Sequence, residues 1–198
     1  IIPTCITAFA QTPPAFNKVD ATVRVGTDGS LNITEEWDVT FFGSDAQKTF
    51  TRSIELPTSK DLKSVEKYDS VKNISVISDS KFYYDPNESS TMKSDSMTSY
   101  SGSDGSGSSL KVTRDSKNCN IVFTKTTDEN DHHFIISYTV TGAVKKDSGK
   151  ARICYRLFGS DTGTLNNVTV SVIGDCISKQ DTGILSLSDL SPEVTDGN

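Results

Sequence analysis

The chain has 198 residues, of which 34% are hydrophobic and 23% charged, and its formal net charge is −6. That much apolar material supports one folded domain and excludes a disordered tail, while no apolar run approaches the roughly 20 residues that a bilayer-spanning helix needs. The acidic balance excludes a nucleic-acid binder that works by neutralising phosphates, and 28 Ser with 23 Thr favour strands and polar loops over helices.

In chain order, residues 1–17 read as an N-terminal extension. Ala8-Phe9-Ala10 fits the small-x-small pattern at the end of a secretory signal, and a mature N-terminal strand is the other reading. Residues 18–176 read as one β domain. Val19, Ala21, Val23 and Val25 alternate with polar residues, the two-residue period of a strand with one buried face. Asp28-Gly29 then predicts a hairpin into a longer strand over residues 31–42. Further strands are expected at residues 48–57, 71–78, 81–84, 110–113, 120–125, 134–144, 151–158 and 168–173. Short helices are expected at residues 61–68 and 184–190, and residues 177–198 as a C-terminal linker.

About ten short strands joined by turns predict an all-β fold, an antiparallel β-sandwich of Ig-like or jelly-roll-like kind, with a closed barrel as the alternative. Residues 89–109 break the pattern. Ten Ser with Gly102, Gly105 and Gly107 predict a long flexible loop there.

Cys5, Cys119, Cys154 and Cys176 form no C-x-x-C pair, so two disulfides of an exported domain are expected rather than zinc, with buried thiols as the alternative. If the last four strands form an up-and-down meander, Cys119 pairs with Cys176 and Cys5 with Cys154. Four sequons begin at Asn32, Asn73, Asn87 and Asn167, as chance allows in so Ser/Thr-rich a chain.

Glu35 falls in the apolar register between Ile33 and Trp37, and Arg52 falls in that of Phe50 and Ile54. Two opposite charges therefore take inward positions on successive strands, and burying either alone would cost several kcal/mol. A tight turn at Gly43-Ser44 would set Trp37 opposite Phe50 and Glu35 opposite Arg52. The pair reads as a structural ion pair fixing strand register, with Glu35 as the acid or base of a cleft as the rival reading.

Asp128, Glu129, Asp131 and His132 form the densest polar cluster, at an expected hairpin tip, and could contact a ligand or calcium. The EF-hand spacing is absent, and His132 and His133 should point to opposite faces, so no metal is expected. No phosphate-binding glycine pattern and no G-x-S-x-G elbow occurs, so neither a cofactor nor a catalytic residue is assigned.

The run Asp28-Gly29-Ser30-Leu31-Asn32-Ile33-Thr34-Glu35, followed by Phe41-Phe42-Gly43 and Arg52-Ser53-Ile54-Glu55-Leu56-Pro57, resembles the bacterial predicted membrane proteins of domain-of-unknown-function family 2207. The later runs Ile136-Ser137-Tyr138-Thr139-Val140-Thr141-Gly142 and Asn167-Val168-Thr169-Val170 are similar to that family's later strands. Tyr155 stands where the family tends to place Trp, Gly174 where it often has proline, and the cysteines lie outside the pattern. The resemblance implies an extracytoplasmic β-rich domain, with membrane-spanning helices in a segment outside this chain, and it implies no activity.

The expected function is a binding or interaction module of a membrane-anchored, cell-surface or secreted bacterial protein, with a protein or cell-surface ligand as partner. Residues 89–109 and 128–133 are its expected contact surfaces. A hydrolase with a carboxylate site around Glu35 and a structural spacer or adhesin-like module are the alternatives.

Overall fold

The computed structural model describes residues 13–44, 46–55, 70–85, 87, 98–115, 118–147, 150–153, 155–158 and 164–174. They form twelve strands: β1 (Ala15–Val25), β2 (Leu31–Thr40), β3 (Gln47–Glu55), β4 (Ser70–Ser78), β5 (Lys81–Tyr84), β6 (Thr98–Ser101), β7 (Ser109–Arg114), β8 (Asn118–Thr126), β9 (Asp131–Thr141), β10 (Val144–Asp147), β11 (Lys150–Ile153) and β12 (Val168–Ile173). No helix occurs among the described residues. The helices expected at 61–68 and 184–190 lie outside them.

The strands make a seven-stranded sheet in the order β12-β1-β2-β9-β4-β5-β6, a three-stranded sheet β3-β8-β7 and a hairpin β10-β11. Asp28-Gly29 turns β1 into β2 with Val25 opposite Leu31. Gly29 takes φ +80, and Asp28 Oδ1 accepts from Ser30 N at 2.9 Å and from Ser30 Oγ at 2.7 Å. A residue with a Cβ would be strained at that φ, which is why the turn carries glycine. Gly142, at φ +77, ends β9, so the strand expected over 134–144 is two strands.

The seven-stranded sheet is mixed rather than purely antiparallel, while the three-stranded sheet and the β10-β11 hairpin are antiparallel. β12 runs parallel to β1, and β6 runs parallel to β5. Alternation reports which face of a strand is buried and carries no strand direction, so the expectation of antiparallel pairing throughout had nothing in the residues to correct it.

The Gly43-Ser44 hairpin is also overturned. β2 lies between β1 and β9, with Glu35 opposite Ala21 on one side and Ile136 on the other. β3 belongs to the other sheet, with Arg52 opposite Ile121 of β8. The chain therefore passes from one sheet to the other between β2 and β3. Trp37 and Phe50 still meet, ring centroids 5.4 Å apart, but across the gap between sheets. Phe50–Phe134 at 5.1 Å, Tyr83–Phe123 at 4.8 Å and Phe123–Phe134 at 5.6 Å close the same gap.

The core lies between these faces. Leu31, Ile33, Trp37, Val39, Phe50, Ile54, Ile121, Phe123, Phe134 and Ile136 are all buried there. Each contributes on the order of 1.5–3 kcal/mol of burial free energy, largely offset by the entropy of ordering the chain.

The meander assumed for the cysteine pairing does not form, because β8 and β9 lie in different sheets and β12 sits beside β1. Cys119 is buried in β8, between Ile54 of β3 and Arg114 of β7. Cys5, Cys154 and Cys176 lie outside the described residues.

The Ser-rich stretch is only partly the loop expected. Residues 98–101 form β6, and 102–108 fold back to β7 through Leu110 N donating to Gly102 O at 2.5 Å. Residues 88–97 lie outside the description.

Candidate functional site

Glu35 projects from the centre of β2 and Arg52 from the centre of β3, and the two sheets bring them together. Arg52 Nε donates to Glu35 Oε2 at 2.8 Å and Arg52 Nη2 to Glu35 Oε1 at 2.9 Å, a bidentate pair with neither side chain exposed. Trp37 Nε1 donates to Oε2 at 2.9 Å, and the Tyr138 hydroxyl donates to Oε1 at 2.5 Å. A carboxylate offers about four lone-pair sites, so these four donors saturate it.

Each nitrogen of the guanidinium finds an acceptor too. Nη1 donates to the Ser53 carbonyl at 2.5 Å, and Nη2 also donates to the Leu157 carbonyl. Its Cζ lies 5.8 Å from the centroid of the Trp37 ring and 5.3 Å from that of Phe158, within cation–π range. Tyr155 completes the set, its hydroxyl 3.0 Å from that of Tyr138.

Burial opposes the charge of Arg52, but Glu35, with Tyr138 and Tyr155 behind it, outweighs burial and raises the guanidinium above its ordinary value. Burial and then the Glu35 carboxylate push the Tyr138 hydroxyl well above its ordinary value, so it stays a donor at any working pH. No second carboxylate joins the cluster among the described residues. Chemically, then, the arrangement sets the Glu35 carboxylate against Arg52 and engages its acceptor sites with four donors.

Sequence reasoning missed Tyr138, Tyr155, Leu157 and Phe158. Tyr138 was in reach: it shares the buried register of Ile136 and Val140 in β9, where a hydroxyl must find a partner. Leu157 and Phe158 carry no local signal, since a carbonyl and a ring enter through tertiary placement alone.

The second cluster sits where β8 passes to β9. The expected hairpin tip is a link between sheets, because β8 and β9 do not pair. His132 is buried in β9. Its Nδ1 stands 3.2 Å from Lys125 Nζ and its Nε2 stands 3.0 Å from the Glu129 carbonyl, so Nε2 carries the proton and Nδ1 accepts. Lys125 is itself ion-paired with Asp79. Burial and then Lys125 lower the imidazole below its ordinary value, outweighing the Glu129 carbonyl.

His133 points to the other face, its Nδ1 2.8 Å from Asp38 Oδ1. Asp131 Oδ1 accepts from Thr40 Oγ1 at 2.5 Å, and Asp128 and Glu129 are exposed. A shallow depression of about 400 Å³ is lined by Asp79, Ser80, Glu129, Asp131, His132 and His133 among others, but not by Asp128. No group of three or more His, Cys, Asp or Glu among the described residues is placed to hold a metal ion.

A third cluster was not anticipated. Asp104 has no exposed side-chain surface; its Oδ2 accepts from Lys81 Nζ at 2.7 Å and Tyr83 Oη at 3.0 Å, and its Oδ1 from Ser106 N at 2.9 Å. Burial opposes its charge, but these donors prevail and hold the carboxyl below its ordinary range. One aspartate thus ties the Ser/Gly segment to β5.

What these clusters define is an all-β domain whose internal charges are bound up in holding it together. Residues 15–186 match the family described as "Predicted membrane protein (DUF2207) N-terminal domain", and the chain belongs to that family. No curated protein matches it. No helix among the described residues is long and apolar enough to cross a membrane.

Proposed function

We propose that the chain is the extracytoplasmic β-sandwich module, residues 18–176, of a membrane-anchored bacterial protein, with a binding or interaction role rather than a catalytic one. The observation that carries this reading is the family match over residues 15–186, to the N-terminal domain of predicted membrane proteins. The ring contacts between the two sheets support the sandwich. The cluster around Glu35 supports an architectural role for the Glu35–Arg52 pair. It argues against the hydrolase, because a general acid or base must reach its substrate and Glu35 is 0% exposed.

The contact surface proposed is the depression bounded by Glu129, Asp131 and His133, together with the neighbouring turn at 128–130. Orientation is tested by fusing alkaline phosphatase or a fluorescent protein behind residue 198 of the native gene product in bacterial cells. An active phosphatase with a dark fluorescent fusion is the expected result; the reverse overturns the extracytoplasmic placement. Contact is tested by replacing Glu129, Asp131 and His133 with Ala. Loss of a surface cross-linked partner at unchanged Tm supports the binding role, and an unaltered cross-linking pattern favours the spacer.

A further inference from the structure

His132, near the start of β9, is buried among charged groups that come from other elements. Its Nδ1 stands 3.2 Å from Lys125 Nζ of β8, and Lys125 pairs in turn with Asp79 at the tip of the β4–β5 hairpin. Lys48 of β3 lies directly opposite Lys125; both lysines are buried, and Lys48 Nζ donates to the Gly43 carbonyl at 3.0 Å. Glu129 faces His132 from the β8–β9 link, its carbonyl 3.0 Å from Nε2. The rings of Phe41 and Phe134, with centroids 5.6 Å and 5.9 Å away, add no charge.

That link is pinned at both ends by its backbone. Thr127 N donates to Ala46 O at 2.7 Å, and Phe41 N donates to Asn130 O at 2.9 Å. Between the pins, Asp128 and Glu129 are exposed. Glu129 N bonds within the link, to Thr127 Oγ1 at 3.2 Å, whereas the Glu129 carbonyl ties it to β9 through His132. Asp79, Glu129 and His132 all line the depression described above.

A neutral imidazole suits this setting, since Nδ1 accepts from Lys125 while Nε2 donates. An imidazolium does not. Both its nitrogens are donors, so the bond to Lys125 is lost and an N–H is turned on an ammonium at close range. Lys48, Lys125 and His132 then put three cations at one end of the two sheets, faced by the carboxylates of Asp79 and Glu129. Burial chiefly, and then Lys125, hold the imidazole below its ordinary 6.5, outweighing the Glu129 carbonyl and the charges of Asp79 and Glu129.

We propose that His132 is a pH-sensitive latch on the depression: protonation separates it from Lys125, releases the Glu129 carbonyl, and frees Asp128 and Glu129 to reshape that surface. The latch is closed at neutral pH and opens as pH falls through the folded imidazole's value. It concerns the contact surface proposed above, but its test reads the chain alone, so the latch and the binding role fail separately. The test is NMR of the full chain from about pH 7.5 to 4.5, following the His132 ring and the backbone amides. The proposal expects the amides of Asp128 and Glu129 to shift and lose rigidity with the midpoint of the His132 ring, while those of β2 keep their dispersion. His132→Gln should abolish that transition and His133→Gln should leave it. Because His132→Gln could unfold, Lys125→Met gives a second reading: with the ammonium gone, the ring and the Glu129 amide should move together to a midpoint about one unit higher, a tenfold gain in proton affinity. A His132 ring that titrates while residues 128 and 129 stay still, a transition that survives His132→Gln, or one that coincides with loss of the β2 signals would overturn the proposal.

Discussion

Arg52 reaches Glu35 from the opposite sheet, and each supplies what the other's burial demands. Arg52→Leu leaves a buried carboxylate with no cation, which should cost about 3–5 kcal/mol in denaturant unfolding. Replacing both, as Glu35→Met with Arg52→Met, should cost far less than the single change, since no orphan charge remains. A double variant as unstable as Arg52→Leu would show that the pair contributes more than mutual neutralisation. Tyr138→Phe removes one donor from Glu35 and should cost about 1–2 kcal/mol.

His132 gives the molecule a pH dependence whose sign follows from its lowered value. The unfolded chain takes up the proton below about 6.5, while the folded imidazole, facing Lys125, does so only at lower pH. Its contribution is therefore fully present above 6.5 and lost as pH falls from there through the folded value. Melting curves between pH 7 and 5 should show this loss, and His132→Gln should shrink it; an unchanged slope would assign the dependence elsewhere.

Among the elements, the β4–β5 hairpin turns on Asp79 and Ser80, at φ 51 and 59, where such turns favour Asn-Gly. Ser80→Gly should relieve that strain and raise stability by about 0.5–1 kcal/mol; a lower Tm would mean that Ser80 makes a contribution its backbone does not reveal. The Asp104 clasp works in the opposite sense. Asp104→Ala leaves Lys81 and the Tyr83 hydroxyl without their shared acceptor and frees the 102–108 turn. Limited proteolysis should then cut within 98–109 at least several-fold faster than in the native chain. The clasp was hidden in the sequence by its own composition: a Ser/Gly run reads as solvated coil, and nothing local says that one Asp in it is claimed by a tyrosine in another strand.

Across the whole molecule, the pairings that build the two larger sheets include several between distant residues: β1 with β12, β2 with β9, β3 with β8 and β4 with β9. Such topology closes long loops before it gains contacts, so refolding should take milliseconds to seconds; a microsecond phase carrying the full amplitude would contradict it. What the sequence by itself determined was the class of fold, the strand faces and the inward turn of Glu35 and Arg52. Period-two alternation is a property of each strand alone, and a charge in an apolar register needs a partner wherever that partner comes from. Only the tertiary structure decided that the partner lies across the gap between sheets, that Trp37, Tyr138 and Leu157 complete its shell, and that the 128–133 turn links two sheets. Strand partners, direction and sheet membership are set by which faces pack best together, and that competition involves the whole chain at once.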